Sequence, residues 1–305
     1  MWEVYGMRPE TKSRLKPLGR LRDLLRGVGQ RRLLIEQNRF LLYELRRINE
    51  TIRYQLLEED LAQVDRVQTQ ASFDYQWHNL PGGIAMPDDE RFMSRAAPSI
   101  CEMTGLSAGW FSGKRVVDVG SGAGRYTFGL LSLGALVTAC DQSSWSLERT
   151  TQLCAKFGDR LTTQKIDLLQ WGEVGAYDLA FCFGVVHHTG NTFLAIRNVA
   201  RKVKPGGKLF LMVYGFPETL SDFQEVNSYE ALRQELRLLP FEEKQRELME
   251  RFGPILGHGW FDAVSPRIND LLTFEEIAEL LGRLGFKNIR RTREGRNHHI
   301  VADRL

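Results

Sequence analysis

Long apolar runs are missing from this chain: no stretch approaches the roughly 18 residues that a membrane-crossing helix needs. Met1-Trp2-Glu3-Val4 opens without the apolar segment of a secretory leader, so the expectation is a soluble, cytoplasmic protein. Cysteine is scarce. Its four copies, Cys101, Cys140, Cys154 and Cys182, show neither Cys-x-x-Cys nor finger spacing, which argues for core residues in a reducing compartment rather than zinc ligands or disulfides. No compact cluster of carboxylates stands out, and no metal is expected. A surplus of one charge is lacking too: 41 Lys and Arg against 38 Asp and Glu leave +3, too little to demand a nucleic-acid partner. What is present, 43% hydrophobic and 26% charged residues over 305 positions, suffices for one large core plus a smaller accessory region.

The most informative segment is Val116-Val117-Asp118-Val119-Gly120-Ser121-Gly122-Ala123-Gly124. It reads as a buried strand, a glycine turn and a helix start, and the next predicted strand, Leu136 to Cys140, ends on Asp141. Glycine allows both a positive φ in the turn and close approach of a ligand to bare backbone. An acid about 20 residues on can accept hydrogen bonds from vicinal ribose hydroxyls. A nicotinamide fingerprint would place Gly or Ala at the sixth position from Gly120, where this chain has Arg125. A nicotinamide-dependent oxidoreductase is therefore the disfavoured alternative, and a non-catalytic cofactor-binding interaction protein is a second one.

Asp118-x-Gly120-x-Gly122-x-Gly124 resembles the first motif of class I S-adenosylmethionine-dependent methyltransferases, and three later segments resemble that family in the same order. Gln164-Lys165-Ile166-Asp167-Leu168 looks like the third strand with its terminal acid, and Tyr177 to Thr189 like the fourth strand and its exit loop. After a predicted helix, Thr192 to Val203, the segment Val203-Lys204-Pro205-Gly206-Gly207-Lys208-Leu209 looks like the turn into the fifth strand. The resemblance implies an α/β fold: a Rossmann-like, mostly parallel seven-stranded sheet with helices on both faces. It implies S-adenosylmethionine as cofactor, with Gly120, Gly122 and Gly124 admitting its amino-acid part and Asp118 orienting the loop and its ammonium. Asp141 would take the ribose hydroxyls and Asp167 the adenine amine, with Gln142 and Leu168 beside them. The implied activity is methyl transfer to a small-molecule acceptor, a hydroxyl oxygen first. No Asn/Asp-Pro-Pro-Tyr/Phe or Pro-Cys motif of nucleic-acid methyltransferases occurs.

His187 and His188 fall at the carboxyl end of the fourth strand, where open α/β sheets bind ligands, and are the candidate bases; His188 is preferred. The remaining segments divide into a helical and aromatic N-terminal cap (1–95), a core (96–215 and 271–305) and an inserted helical lid (216–270). From Pro17 to Val67, apolar residues at three and four spacing predict one or two amphipathic helices. Between Arg8 and Arg53, thirteen Lys or Arg stand against five acids, which suits a solvated basic face with a dimer or membrane-surface contact as further options. Asn38 and Gln55 interrupt the apolar seam, so a long coiled coil is not expected. The aromatic stretch Ala71 to Gly83, with Tyr75 and Trp77, either folds over cofactor and substrate or anchors the cap. In the insertion, a charged helix is predicted from Tyr229 to Arg251, and His258 and Arg267 are candidate pocket-wall residues. Thr273-x-x-Glu276 predicts the start of the last helix, and Asn288 to Arg293 and His298 to Asp303 predict the closing strands.

Overall fold

A computed structural model describes residues 16–55, 61–79, 90–172 and 174–305. The first helices are α1 (Lys16–Gln55), α2 (Leu61–Asn79) and α3 (Glu90–Thr104). The sheet is then built from β1 (Arg115–Val119), α4 (Arg125–Ser132), β2 (Leu136–Asp141), α5 (Ser144–Leu153), β3 (Leu161–Lys165), β4 (Tyr177–Phe183), α6 (Thr192–Ala200) and β5 (Val203–Val213). Helices α7 (Leu220–Leu236) and α8 (Phe241–Val264) follow, and α9 (Phe274–Arg283), β6 (Phe286–Arg291) and β7 (His298–Arg304) close the chain.

The seven strands lie in the order β3-β2-β1-β4-β5-β7-β6, with β1 to β5 parallel and β7 antiparallel to both β5 and β6. Because strand side chains alternate, each central strand feeds two cores. Val117, Val119, Ala180 and Leu211 face one side, under Ile196 of α6 and Ile277 and Leu281 of α9. Val116, Val137, Phe181 and Phe210 face the other, under Ile100 of α3 and Leu130 and Leu131 of α4. This is why the central strands read as continuous apolar runs. The start of α9 is a full capping box: the Glu276 N–H donates to the Thr273 hydroxyl, and the Glu276 carboxylate accepts the Thr273 N–H at 2.8 Å.

Three expectations shift. Helix, expected only as far as Val67, continues through the aromatic stretch, whose residues 71–79 form the last turns of α2, while its Leu80-Pro81-Gly82-Gly83 turn lies outside the described residues. The helix expected from Tyr229 to Arg251 is two, because the chain leaves α7 at Leu236 and Pro240, which cannot donate a backbone hydrogen bond, precedes α8. The third strand ends at Lys165, so Asp167 lies two residues past it.

Helix α2 crosses the carboxyl ends of the strands and is fastened to the loop after α8. Gln68 Nε2 donates to the Ser265 carbonyl at 2.9 Å, the Ser72 hydroxyl to that of Ser265 at 2.8 Å, and the Ile268 N–H to the Thr69 hydroxyl at 3.1 Å. Helix α1 packs on α7 through buried Phe40, edge-on to Phe216 and Phe223, and through Asn227, which donates to the Glu36 carbonyl. Its opposite face leaves Leu34, Leu41, Leu45 and Ile48 more than half exposed. Among the described residues, no helix is long and apolar enough to cross a membrane.

Candidate functional site

At the carboxyl ends of β1, β2 and β4, under α2, lies a cavity of 640 Å³. The turn after β1 forms its floor. Gly120 has φ +71°, and a Cβ there would lie 2.2 Å from Cγ2 of Val185. Gly122 has φ +52°, and a Cβ there would come within 3.1 Å of the Trp77 ring. Both positions therefore need glycine for conformation, and Gly120 needs it for space as well. Asp141, at the end of β2, holds the turn in place: the Gly122 N–H donates to Oδ2 and the Ser143 N–H to Oδ1, each at 2.9 Å. Burial raises the pKa of Asp141, and these backbone donors oppose the rise. A carboxylate has about four lone-pair sites, so two bonds leave Asp141 able to accept more from a ligand.

Gln142, Asp167 and Leu168 continue the wall. Asp167 Oδ1 accepts the Leu169 N–H at 2.9 Å, and Oδ2 accepts from Arg66 of α2 at 3.2 Å, a bridge that spans the cavity edge. Arg125, at the position where a nicotinamide fingerprint wants a small residue, also lines the cavity. Asp118 and Gly124 lie behind the wall. Asp118 is buried and accepts the Thr127 hydroxyl at 2.6 Å, and burial pushes its pKa up to about 7. Gly124, with φ +92°, leads into α4 where a Cβ would collide with Thr150.

The paired histidines separate. His188 lines the cavity, edge-on to Phe73 at 4.8 Å, and its Nδ1 is 2.8 Å from the Ile268 carbonyl. A carbonyl only accepts, so Nδ1 carries the proton and Nε2 of the neutral ring is the acceptor. Burial lowers the His188 pKa, and the negative charge of Asp262 pulls the other way. His187 is fully buried behind it, stacked on Tyr214 at 3.9 Å and taking the Tyr214 N–H on Nδ1. Desolvation holds His187 well below the ordinary histidine pKa.

Of the expected substrate residues, Trp77 lines the cavity. Tyr75 turns away, its hydroxyl donating to Gln245 at 2.6 Å and its ring packing between Phe241 and Phe261. Arg267 is exposed and pairs with Asp65 at 3.0 Å, fastening the loop to α2. His258 lies on α8, and its side chain is outside the described residues. The cavity also holds Phe73 and Asp74 of the aromatic stretch and Asp262 of the insertion, together with residues that the sequence reading passed over: Arg66 of α2, Tyr126 and Tyr214. The Tyr214 hydroxyl donates to Asp262 at 3.1 Å.

The site fits S-adenosylmethionine on its own geometry. It offers a side-chain-free turn, a buried carboxylate with spare lone pairs, and a wall made partly apolar by Val119, Ile166 and Leu168.

Residues 117–209 match the family model described as a methyltransferase domain. Over 102 residues the chain is 35% identical to the ubiquinone biosynthesis O-methyltransferase of Dechloromonas aromatica, covering 33% of this chain and 44% of that protein. The protein of the same name from Xanthomonas oryzae pv. oryzae is 34% identical over 102 residues, covering 33% and 43%. The chain thus spans less than half the length of these curated relatives. Among solved structures, the magnesium protoporphyrin IX methyltransferase of Synechocystis PCC 6803 with bound S-adenosylhomocysteine gives a TM-score of 0.52 at 19% identity, covering 81% of this chain and 100% of that one. That likeness is one of fold.

Proposed function

We propose that this chain, whose core belongs to the class I S-adenosylmethionine-dependent methyltransferase superfamily, methylates a hydroxyl oxygen of a small-molecule acceptor. The observation that carries the hydroxyl acceptor is the held tautomer of His188, with Nδ1 on the Ile268 carbonyl and Nε2 available as base on the cavity wall. Two relatives named as ubiquinone biosynthesis O-methyltransferases support oxygen as the acceptor atom.

When bound, S-adenosylmethionine supplies a methyl group already activated on a sulfonium sulfur. The chain's own task is to hold, align, exclude water and remove one proton. Gly120 and Gly122 give bare backbone for the amino-acid part, and Asp141 has lone pairs for the ribose hydroxyls. Asp167 serves the adenine end, sharing its carboxylate with Arg66. Phe73 and Trp77 of α2 shield the site from water. His188 Nε2 takes the acceptor proton, and the negative charge of Asp262 favours the imidazolium so formed. Asp118 acts at one remove, tying β1 to α4 through Thr127. The exposed apolar row on α1 suits contact with a second surface, as its basic surroundings in sequence imply.

His188→Ala tests this reading. With saturating cofactor, the single-turnover rate should fall about 10²–10⁴-fold, the usual worth of a positioned base, while cofactor affinity holds. Because burial lowers the His188 pKa, the parent rate should stay flat through neutral pH and drop only below the ordinary histidine range. An unchanged saturated rate with weakened cofactor binding would make His188 a pocket residue instead.

A further inference from the structure

Helix α1 is apolar on two sides, and the body of the protein covers one of them. On the covered side Phe40 is buried edge-on to Phe216 and Phe223, and Asn227 donates to the Glu36 carbonyl. On the other side Leu34, Ile35, Leu41, Leu42, Leu45 and Ile48 are each more than half exposed. Leu34, Leu41, Leu45 and Ile48 follow one another at spacings of seven, four and three, so they stand in one line along the helix. Ile35 and Leu42, each one residue further on, widen that line into a face about 20 Å long at 1.5 Å per residue. A contiguous exposed apolar face of this kind marks a contact surface.

Charge decides what the face contacts. Between residues 26 and 48 six arginines stand against two glutamates. Both glutamates are engaged within the helix, Glu36 by Arg39 at 3.3 Å and Glu44 by Arg47 at 2.8 Å, so within this stretch Arg26, Arg31, Arg32 and Arg46 are in surplus. All four are exposed, and Arg32, Arg39 and Arg46, seven residues apart, run along one edge of the apolar face. A second copy of the chain laid on this face would bring two such surpluses together, and they would repel. A nucleic-acid backbone would take the arginines but leave the leucines in water. An anionic bilayer surface answers both features, because its headgroups attract the arginines while the boundary with the acyl chains takes the apolar side chains. Arg31 and Asn38 lie on the same side of the helix as the leucines, which suits the hydrated headgroup layer and not the hydrocarbon interior.

We infer that α1 docks this protein on an anionic phospholipid surface. The helix lies in the plane of the interface, with Leu34, Leu41, Leu45 and Ile48 towards the acyl chains and the surplus arginines on the lipid phosphates. Its contact with α7 keeps the body of the protein on the aqueous side. The inference goes beyond the methyl-transfer reading and does not depend on it, since neither the cavity nor His188 enters the argument.

Co-sedimentation of the full chain with vesicles tests it. Vesicles of phosphatidylcholine with about a third phosphatidylglycerol should carry the protein down, pure phosphatidylcholine should bind it at least about ten-fold more weakly, and added salt should weaken the anionic binding. Leu41→Glu combined with Leu45→Glu alters two exposed apolar groups, and Arg31→Gln combined with Arg32→Gln and Arg46→Gln removes three surplus charges. Each set should lower the affinity for the anionic vesicles about ten- to hundred-fold, with the urea midpoint kept at that of the parent. Equal binding to both kinds of vesicle, binding to neither, or undiminished binding by either set of substitutions would overturn the proposal. So would a parent dimer in analytical ultracentrifugation that the leucine substitutions take apart, because the face would then hold a second copy.

Discussion

Replacing Asp118 by Asn should remove a pH-dependent loss of stability that the buried carboxylate imposes on the parent. Asp118 sits within β1, 2% exposed, and accepts the Thr127 hydroxyl at 2.6 Å. Burial dominates over that hydrogen bond and raises the carboxyl from 3.8 to about 7, with the charge of Asp141 adding to the rise. A folded-state pKa above the unfolded one means that the native protein binds more protons between the two values, so stability falls as pH rises through that window. About three units at about 1.4 kcal/mol each gives a loss on the order of 4 kcal/mol, fully developed above about pH 7. Asn keeps the shape and can still accept from Thr127, yet carries no charge to desolvate. Urea unfolding of parent and Asp118→Asn without cofactor, from about pH 4 to 8, should show the variant gaining on the parent by about that amount and then a constant gap. Parallel profiles, or a variant whose relative loss deepens with pH, would refute the argument.

Three further outcomes follow from the cavity. Gly120→Ala combines a positive φ with a collision against Val185, so it should lower the melting temperature by the equivalent of about 1–3 kcal/mol, and adding Val185→Ala should recover part of it. Asp141→Ala should weaken S-adenosylhomocysteine by about 1.5–3 kcal/mol in calorimetry, because it removes the ligand's acceptor and the anchor of Gly122 together; unaltered affinity would detach Asp141 from the cofactor. Arg66→Ala breaks a bridge whose partners are each about a third exposed, so stability should move by under about 1 kcal/mol. The release rate of S-adenosylhomocysteine by stopped flow should nevertheless rise, and an unchanged rate would show that α2 does not gate the cavity.

What the sequence made legible was local. The glycine turn and the box that starts α9 lie within a few residues of the groups they serve, and the acid ending β2, 19 residues from the Gly122 N–H it accepts, is placed by the single strand-helix-strand unit between them. The central parallel strands β1, β4 and β5 were legible for a related reason, since burial on both faces leaves an apolar run that polar alternation does not disguise. The place of Asp118 was half legible. Side-chain alternation puts it with Val116, on the side of β1 where α4 packs, but its partner is nine residues away and chosen by packing.

The wall supplied by α2 shows where such reading stops and what would have carried it further. Arg66, Gln70, Phe73 and Trp77 all line the cavity and recur at three and four spacing, the mark of one helical face. Tyr75, two residues from Trp77, must then point elsewhere, and it does, into Phe241 and Phe261. Helical periodicity followed only to Val67 hid that division, because without a helix Tyr75 and Trp77 are equivalent. The face itself is polar and aromatic rather than apolar, so hydrophobic periodicity passes it by; it packs against a cavity instead of a core. A helix that covers a ligand site is thus better sought by the spacing of its large and charged residues than by its apolar ones. In α2 that spacing separates the two aromatics without any knowledge of the sheet beneath.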